Sequence, residues 1–260
     1  MKTVVGNWKM QVGVRESVAL ARGTLLTLRG RSIAPDLVVC PSFVALSEVH
    51  KVLARSSVSM GAQNVFWEDH GAFTGETSAR MLTELGVTYV IIGHSERRTL
   101  LGETDEMVQK KIVQALAHGL IPLVCVGETA EEHDQGLTQS HLQKQLIAAF
   151  DGVHIKHRSQ LLIAYEPVWA IGSGRTPAVS EVISAHQYIR RLVSEFFSSV
   201  DSLSLSVLYG GSVDAENAYA FLREQEVDGV LVGGVSVKLN QFNDVIVAAS
   251  EVLEAQSTHV

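Results

Sequence analysis

Three groups of reactive side chains follow apolar, β-branched runs of the chain. Asn7 and Lys9 follow the first run, His94 and Glu96 follow the fourth, and Glu166 ends the sixth. An imidazole, a carboxylate and an ammonium that meet at one place can move a proton and stabilise the anion that forms. Each also has an ordinary interpretation, because a loop carboxylate or a surface ion-pair cluster would show the same residue types. The chemistry therefore depends on whether the fold brings the groups together.

The position of His94 indicates its charge state. It precedes a predicted helix that starts with Ser95 as its cap. The positive end of the helix dipole and the free backbone N–H groups disfavour a protonated imidazole there. We therefore expect His94 to be a neutral hydrogen-bond donor.

Glycine-rich segments follow the last three strands that the sequence predicts. They are Gly172–Gly174, Gly210–Ser212 and Gly233–Gly234. Glycine lets the backbone turn its N–H groups toward an oxyanion at close range. The P-loop lysine and the third glycine of the dinucleotide fingerprint are both missing, so a small phosphate ester fits better than a nucleotide. Glycines that serve only as turn and helix-stop residues are the alternative interpretation.

The segment between Glu166 and Pro177 has the composition of a mobile lid. Proline stands at both of its ends, Gly172–Gly174 softens its tip, and Trp169 with Ile171 gives it an apolar face. Such a face is costly to leave exposed. We expect this loop to close over the ligand and expel water, with an ordinary long connection as the alternative.

These residues must be positioned by strands that alternate with helical segments. The continuous apolar runs are typical of strands buried on both faces of a parallel sheet. Eight strand–helix units in about 250 residues favour an α/β fold, a closed (β/α)8 barrel of parallel strands, although an open doubly wound sheet has the same periodicity. The predicted strands are 3–7, 37–40, 58–62, 89–93, 121–126, 161–166, 205–209 and 229–232.

Punctuation residues predict where some helices begin and end. Thr176 followed by Pro177 predicts a helix cap with proline in the first turn, and Gly119 predicts the end of the preceding helix. An apolar stripe that includes Phe242 and Leu253 predicts a helix near the end of the chain. No linker divides the sequence, so we expect one domain over residues 1–260.

Composition excludes several classes of function. The 260 residues carry 21 Lys and Arg against 28 Asp and Glu, a net charge of −7, and no basic run is present for nucleic acid or anionic lipid. The longest strongly apolar stretch, Leu120–Val126, is too short for a membrane helix, and Met1–Lys9 lacks a secretory signal. Two cysteines exclude a disulfide framework, and the ten histidines form no metal motif. We expect a cytoplasmic protein without a metal site.

Six sequence blocks, in order, resemble the triosephosphate isomerase family over nearly the whole chain. The blocks are Gly6-Asn7-Trp8-Lys9-Met10; Gln63-Asn64 leading to Gly71-Ala72-Phe73-Thr74-Gly75-Glu76; Ile92-Gly93-His94-Ser95-Glu96-Arg97-Arg98; Ala164-Tyr165-Glu166-Pro167-Val168-Trp169-Ala170-Ile171-Gly172; Tyr209-Gly210-Gly211-Ser212-Val213; and Leu231-Val232-Gly233-Gly234. The resemblance implies the barrel fold and a cofactor-free interconversion of dihydroxyacetone phosphate and D-glyceraldehyde 3-phosphate. It further implies a place in glycolysis and gluconeogenesis, with the pentose shunt as a connected pathway.

The resemblance also implies a role for each reactive side chain. Glu166 matches the family's catalytic base, and His94 matches the neutral electrophile that polarises the carbonyl group. Lys9 and Asn7 match the groups that bind the substrate and its developing oxyanion, and Glu96 matches their orienting partner. The backbone of four further residues matches the phosphate cradle: Gly172, Ser212, Gly233 and Gly234.

The chain departs from the usual family pattern only outside the reacting groups. Gln11 replaces an asparagine that many members carry, Ser173 and Arg175 replace a lid threonine and lysine, and Val235-Ser236-Val237 replaces alanine-serine-leucine. Substitutions in the lid can alter affinity or the rate of closure.

The loop Gly71–Glu76 implies a homodimer, because in the family it projects into a neighbouring subunit. Its tip residue Thr74 would approach the Asn7 and Lys9 region of that subunit and hold it in place. Two other functions remain open from the residues alone. One is a barrel lyase in which Lys9 forms a Schiff base, and the other is a scaffold that keeps the fold without catalysis.

Overall fold

Every predicted strand forms, with each end within one residue of its predicted position. The computed structural model describes residues 1–155, 157, 160–197 and 205–257. In chain order, β1 to β8 are Thr3–Asn7, Asp36–Cys40, Ser59–Ala62, Tyr89–Ile92, Ile121–Val126, Leu162–Tyr165, Ser206–Tyr209 and Gly229–Val232.

Helices separate successive strands, and ten lie in the part of the chain that the structure describes. In chain order, α1 to α10 are Val14–Leu28, Leu46–Leu53, Ala79–Glu84, Ser95–Leu101, Asp105–Ala117, Ala130–Asp134, Thr138–Phe150, Val179–Phe196, Ala218–Leu222 and Leu239–Ser257. The final helix confirms the apolar stripe near the end of the chain. None of these ten helices combines the length and apolar character needed to cross a membrane.

The sheet closes on itself. The strands pair in the order β1 to β8, and β8 then pairs in parallel with β1. Thr3 is in register with Asp36 of β2 on one side and with Gly229 of β8 on the other. Closure confirms the (β/α)8 barrel and excludes the open doubly wound sheet. Because all strands are parallel, their carboxyl ends meet at one rim, where ligands of such folds bind.

Two apolar layers account for strands that are hydrophobic on both faces. The helices cover the outside of the barrel, where strand side chains such as Val90 and Ile163 share a buried cluster with Ile112 of α5 and Ile189 of α8. A second cluster fills the inside of the barrel. Its buried members are Val5, Val38, Cys40, Ile91, Leu123, Cys125, Leu162, Ala164, Leu208 and Leu231. Burial there raises the pKa of both cysteine thiols.

One predicted helix end is confirmed and one predicted start is wrong. Gly119 lies just beyond α5 with a φ of +73°, as expected for a helix stop. The cap predicted at Thr176 with Pro177 in the first turn does not form, because α8 begins two residues after Pro177. Instead, the Glu181 carboxylate accepts a hydrogen bond of 2.7 Å from the backbone N–H of Ala178 and fixes the start of the helix there.

His186 of α8 makes stability depend on pH. It is fully buried, its Nδ1 donates to the carbonyl oxygen of Glu226 at 2.9 Å, and its Nε2 has no hydrogen-bond partner among the described residues. Burial lowers the pKa of His186 from 6.5 to about 3; the Glu226 carbonyl opposes this shift, and the charges of Arg190 and Lys2 add to it. The unfolded chain therefore binds a proton near pH 6.5 that the folded chain excludes.

We predict that acid destabilises the fold through this residue. The contribution of His186 is fully present above pH 6.5 and is lost as the pH falls from 6.5 toward 3. Proton uptake by His186 in the unfolded chain should lower the free energy of unfolding by about 2 kcal/mol between pH 7 and pH 5. Denaturant unfolding at a series of pH values should show that the free energy of unfolding depends less steeply on pH in His186→Gln than in the unsubstituted protein. His154→Gln, at an exposed histidine, is the control, and equal slopes for His186→Gln and the unsubstituted protein would contradict the assignment.

Candidate active site

A cavity of about 580 Å³ opens at the carboxyl rim of the barrel. Six of the nine predicted site residues line it, although they are far apart in the sequence. These are Lys9, Glu96, Gly172, Ser212, Gly233 and Gly234. The fold therefore brings together the groups after β1, β4, β6, β7 and β8.

The other three predicted residues do not line the cavity in this conformation. Asn7, His94 and Glu166 are 5%, 6% and 2% exposed, respectively. Glu166 Oε1 lies 3.2 Å from His94 Nε2, which brings the ends of β4 and β6 into contact. That contact is not aligned as a hydrogen bond, and Glu166 Oε1 has no hydrogen-bond partner among the described residues. One carboxylate oxygen beside the imidazole is thus buried without a donor.

The second oxygen of Glu166 is held by the backbone. Glu166 Oε2 accepts a hydrogen bond of 2.9 Å from the N–H of Ser95. The backbone N–H of Glu166 bonds to Val126 O at 2.7 Å and continues the pairing of β5 with β6. Gly210 makes room for this side chain, because a Cβ there would lie 2.9 Å from Glu166 Cγ. The glycine after β7 therefore accommodates the Glu166 side chain, in addition to any role in binding a ligand.

His94 is itself the cap of α4, so the expectation that Ser95 caps this helix is wrong. Its Nδ1 accepts the backbone N–H of Glu96 at 3.2 Å. An accepting Nδ1 assigns the neutral tautomer with the proton on Nε2, the atom that faces Glu166. Gly93 immediately before it has a φ of +74°, and a Cβ there would lie 2.9 Å from Arg98 Nη2 and Val108 Cγ2. Only glycine fits this turn without displacing those side chains.

A buried carboxylate that the sequence analysis missed supports this turn. Glu103 Oε1 accepts from Gly93 N at 2.9 Å, and Glu103 Oε2 bonds to Lys111 Nζ at 2.7 Å and to Arg97. Burial raises the pKa of Glu103, but the two cations outweigh burial and hold it below its usual value. Glu103 therefore remains an anion that fixes the backbone next to His94. The partner Lys111 is eight residues away on α5, so no short motif reveals the pair.

Lys9 has the strained backbone that is common at functional sites. Its φ is +50°, the only positive φ of a non-glycine residue in the described chain. Asn7 Oδ1 accepts a hydrogen bond from the N–H of Lys9 at 3.0 Å. Gln63 Nε2 donates to the carbonyl oxygen of Lys9 at 2.9 Å. The ammonium lies 2.5 Å from Glu96 Oε1. Sequence reasoning quoted Gln63 within a motif but did not assign it this anchoring role.

Glycines and a second lysine line the part of the cavity at the ends of β7 and β8. Gly233 and Gly234 follow β8, and Ser212 follows β7. Ser236 Oγ donates to Asn7 O at 3.0 Å and ties this turn to the end of β1. Lys238 also lines the cavity and was missed, although it stands four residues after the glycine pair. The arrangement offers backbone N–H groups and a nearby positive charge to an anion.

The loop after Glu166, residues 167–178, is named the lid. It begins with one tight helical turn, Val168–Ala170. Trp169 is 8% exposed and donates from Nε1 to Glu128 Oε1 at 2.8 Å, a partner that sequence reasoning missed. At the lid tip, residues 172–176 are all exposed, and Gly172 lines the cavity.

Comparison with known proteins identifies the family. A family model described as "Triosephosphate isomerase" matches residues 2–249. The triosephosphate isomerase of Rhodopirellula baltica is 42% identical over 246 residues, which cover 95% of this chain and 96% of that protein. The protein of the same name from Dehalococcoides mccartyi is 43% identical over 239 residues and 92% of each chain.

A solved structure agrees with these relatives. The crystal structure of triosephosphate isomerase from Bartonella henselae superposes with a TM-score of 0.86 at 34% identity, and the match covers 95% of this chain and 98% of that one. Sequence, barrel and relatives all lead to the same assignment. The chain belongs to the triosephosphate isomerase family.

Proposed function

We propose that this isomerase interconverts dihydroxyacetone phosphate and D-glyceraldehyde 3-phosphate with Glu166 as the base and His94 as the electrophile. Glu166 removes a proton from the carbon next to the carbonyl group, which leaves an enediolate. His94 moves the hydroxyl proton from one enediol oxygen to the other, and a proton then passes from Glu166 to the neighbouring carbon. No electron leaves the substrate, so the cycle balances without an added oxidant or reductant.

The observation that carries this assignment is the contact between Glu166 and His94. The two atoms that face each other, Oε1 and Nε2, are 3.2 Å apart beside the cavity. A carboxylate can accept a carbon-bound proton, and a neutral Nε2–H can donate to the oxygen where negative charge develops. Both groups would therefore act on adjacent atoms of the same small substrate.

Glu166 must turn to act as the base. In this structure its Oε2 accepts a hydrogen bond from the N–H of Ser95. We propose that substrate binding and lid closure release this hydrogen bond and bring the carboxylate into the cavity. Val168 and Ile171, which line the cavity, would then exclude water from the enediolate.

The phosphate would bind at the glycine-rich side of the cavity. Gly172, Ser212, Gly233 and Gly234 line the side that is formed by the lid and the ends of β7 and β8. Binding energy from this remote group would drive closure and orient the reacting carbons. The phosphate would thus serve both to recognise the substrate and to orient its reacting carbons.

The pairing of Lys9 supports proton transfer rather than Schiff-base chemistry. Its Nζ donates a hydrogen bond to Glu96 Oε1 at 2.5 Å and is held by this carboxylate. A Schiff-base lysine must be a neutral amine when it attacks a carbonyl carbon. We propose that Lys9 stabilises the substrate oxygens, that Asn7 orients it, and that Glu96 positions its charge. Covalent trapping of Lys9 by borohydride with substrate would instead favour the lyase mechanism.

We predict that Glu166→Asp lowers turnover by about 100-fold or more, because a shorter side chain moves the base by about one bond length. The free energy of unfolding should change little. A coupled assay with D-glyceraldehyde 3-phosphate and a denaturant titration measure the two effects. Glu216→Asp, at an exposed position, is the matched control. Turnover near that of the unsubstituted enzyme would contradict the role of Glu166.

The loop Gly71–Glu76 supports the proposal of a homodimer. All six of its residues are exposed in the single chain, including Phe73 at 43%. The Phe73 ring contacts the Phe66 ring, with centroids 4.8 Å apart, and this contact anchors the loop. Met10 beside Lys9 is 96% exposed. We propose that a second copy of this loop covers that surface and steadies Lys9.

We predict that Gly75→Pro shifts the protein toward monomers and lowers its activity. Gly75 has a φ of +93°, whereas proline fixes φ near −65°, so the loop tip must rearrange. Sedimentation velocity measures the change in mass. Gly152→Pro introduces the same conflict at φ +65° between α7 and β6 and should leave the assembly unchanged. An unchanged dimer in Gly75→Pro would reject the loop as the interface.

We further propose that residues 1–260 act as one domain in the cytoplasm. The barrel uses strands from Thr3 to Val232, and α10 packs against α1 and α9. Cys40 and Cys125 are free thiols, the form that a reducing compartment maintains.

A further inference from the structure

A histidine outside the proposed catalytic set contacts both ends of the lid. His133 lies on α6, and its ring packs on the indole of Trp169 with centroids 4.3 Å apart. Its Nε2 lies 3.6 Å from Glu181 Oε1 in the first turn of α8. Trp169 is near the start of the lid and Glu181 follows its end, so one side chain bridges the two.

Glu181 carries this contact into the backbone of the lid. Its other oxygen, Oε2, accepts the N–H of Ala178 at 2.7 Å. Ala178 is the last residue of the lid, so the carboxylate that faces His133 also fixes the point where the lid joins α8. Any change in the position of Glu181 is therefore transmitted to this hinge.

We assign this conformation to the open lid, because residues 172–176 at the tip are exposed while Trp169 is held by His133 and by Glu128. Trp169 lies in the tight turn Val168–Ala170, three residues before Gly172. We expect closure to move this turn together with the tip and to displace the indole relative to α6. A contact that is made before closure and lost on closure stabilises the open state.

Two carboxylates face the ring nitrogens of His133. Asp134 on α6 and Glu181 on α8 face its two nitrogens at 3.5 and 3.6 Å, respectively. Arg175 of the lid lies on the Trp169 ring, with its Cζ 4.8 Å from the centroid. From α7, the cavity beside His133 is lined by Thr138 and Gln139, which carry no charge. His133 is therefore held between two carboxylates and an aromatic face.

We infer that His133 is a positioning residue that holds the lid open through Trp169 and Glu181. The inference rests on the proposed function, because the lid matters only if it closes over a substrate. Weakening the contact shifts the equilibrium toward the closed lid and raises apparent affinity for the substrate.

Two substitutions test the contact from opposite sides. His133→Gln removes the ring, and Glu181→Gln removes the carboxylate charge while its amide oxygen can still accept the N–H of Ala178. Each should lower the KM for D-glyceraldehyde 3-phosphate by about two- to fivefold, the size expected for one partly exposed polar contact and one aromatic contact, with little change in kcat. The double variant should show less than the product of the two single effects.

His154→Gln is the matched control, because His154 is an exposed histidine outside the lid. An unchanged or higher KM in His133→Gln, or an equal decrease in His154→Gln, would overturn the inference. If His133→Gln fails to fold, Glu181→Gln decides by the same criterion. Absence of turnover in the unsubstituted enzyme would overturn the proposed function and this inference with it, whereas an unchanged KM in active variants would overturn this inference alone.

Discussion

A carboxylate and an imidazole can share one small substrate only if two separate strands end at the same height and face each other. The 3.2 Å contact between Glu166 and His94 meets that requirement. It depends on the register of β4 with β5 and of β5 with β6, in which Ile92 is level with Val124 and Tyr165 with Val126. A slip of one residue would turn either side chain into the helix layer. The closed barrel, its filled interior and the glycines at the rim all preserve this register.

The strand pattern was predictable because buried parallel strands must be apolar on both faces and their ends must carry the polar residues. Sequence periodicity placed β1 to β8 within one residue but could not distinguish a closed from an open sheet, since closure depends on the pairing of β8 with β1. The start of α8 was mispredicted, because Glu181, three residues inside the helix, determines the cap rather than Thr176 and Pro177. Local sequence patterns therefore predict which segments form strands and helices, but a side chain within a helix can determine where that helix begins.

The groups that react were easier to predict than the groups that support them. Glu166, His94 and Lys9 follow strands directly, so their position in the sequence already indicates the rim. Glu103 and Gln63 act through long-range hydrogen bonds to Gly93 and Lys9, and His133 acts through Trp169. Such contacts become visible only in three dimensions, because the partners of Gln63 and His133 come from other strand–helix units and Glu103 lies ten residues from Gly93, beyond α4.

The most direct test of the central claim follows the fate of the transferred hydrogen. Conversion of dihydroxyacetone phosphate to glyceraldehyde 3-phosphate can be run in deuterium oxide, and the product analysed by NMR or mass spectrometry. A carboxylate base that exchanges its proton with solvent predicts product molecules with deuterium on the carbon that receives the proton. Product formed at the full rate with hydrogen alone at that carbon would contradict proton transfer through a carboxylate base that exchanges with solvent.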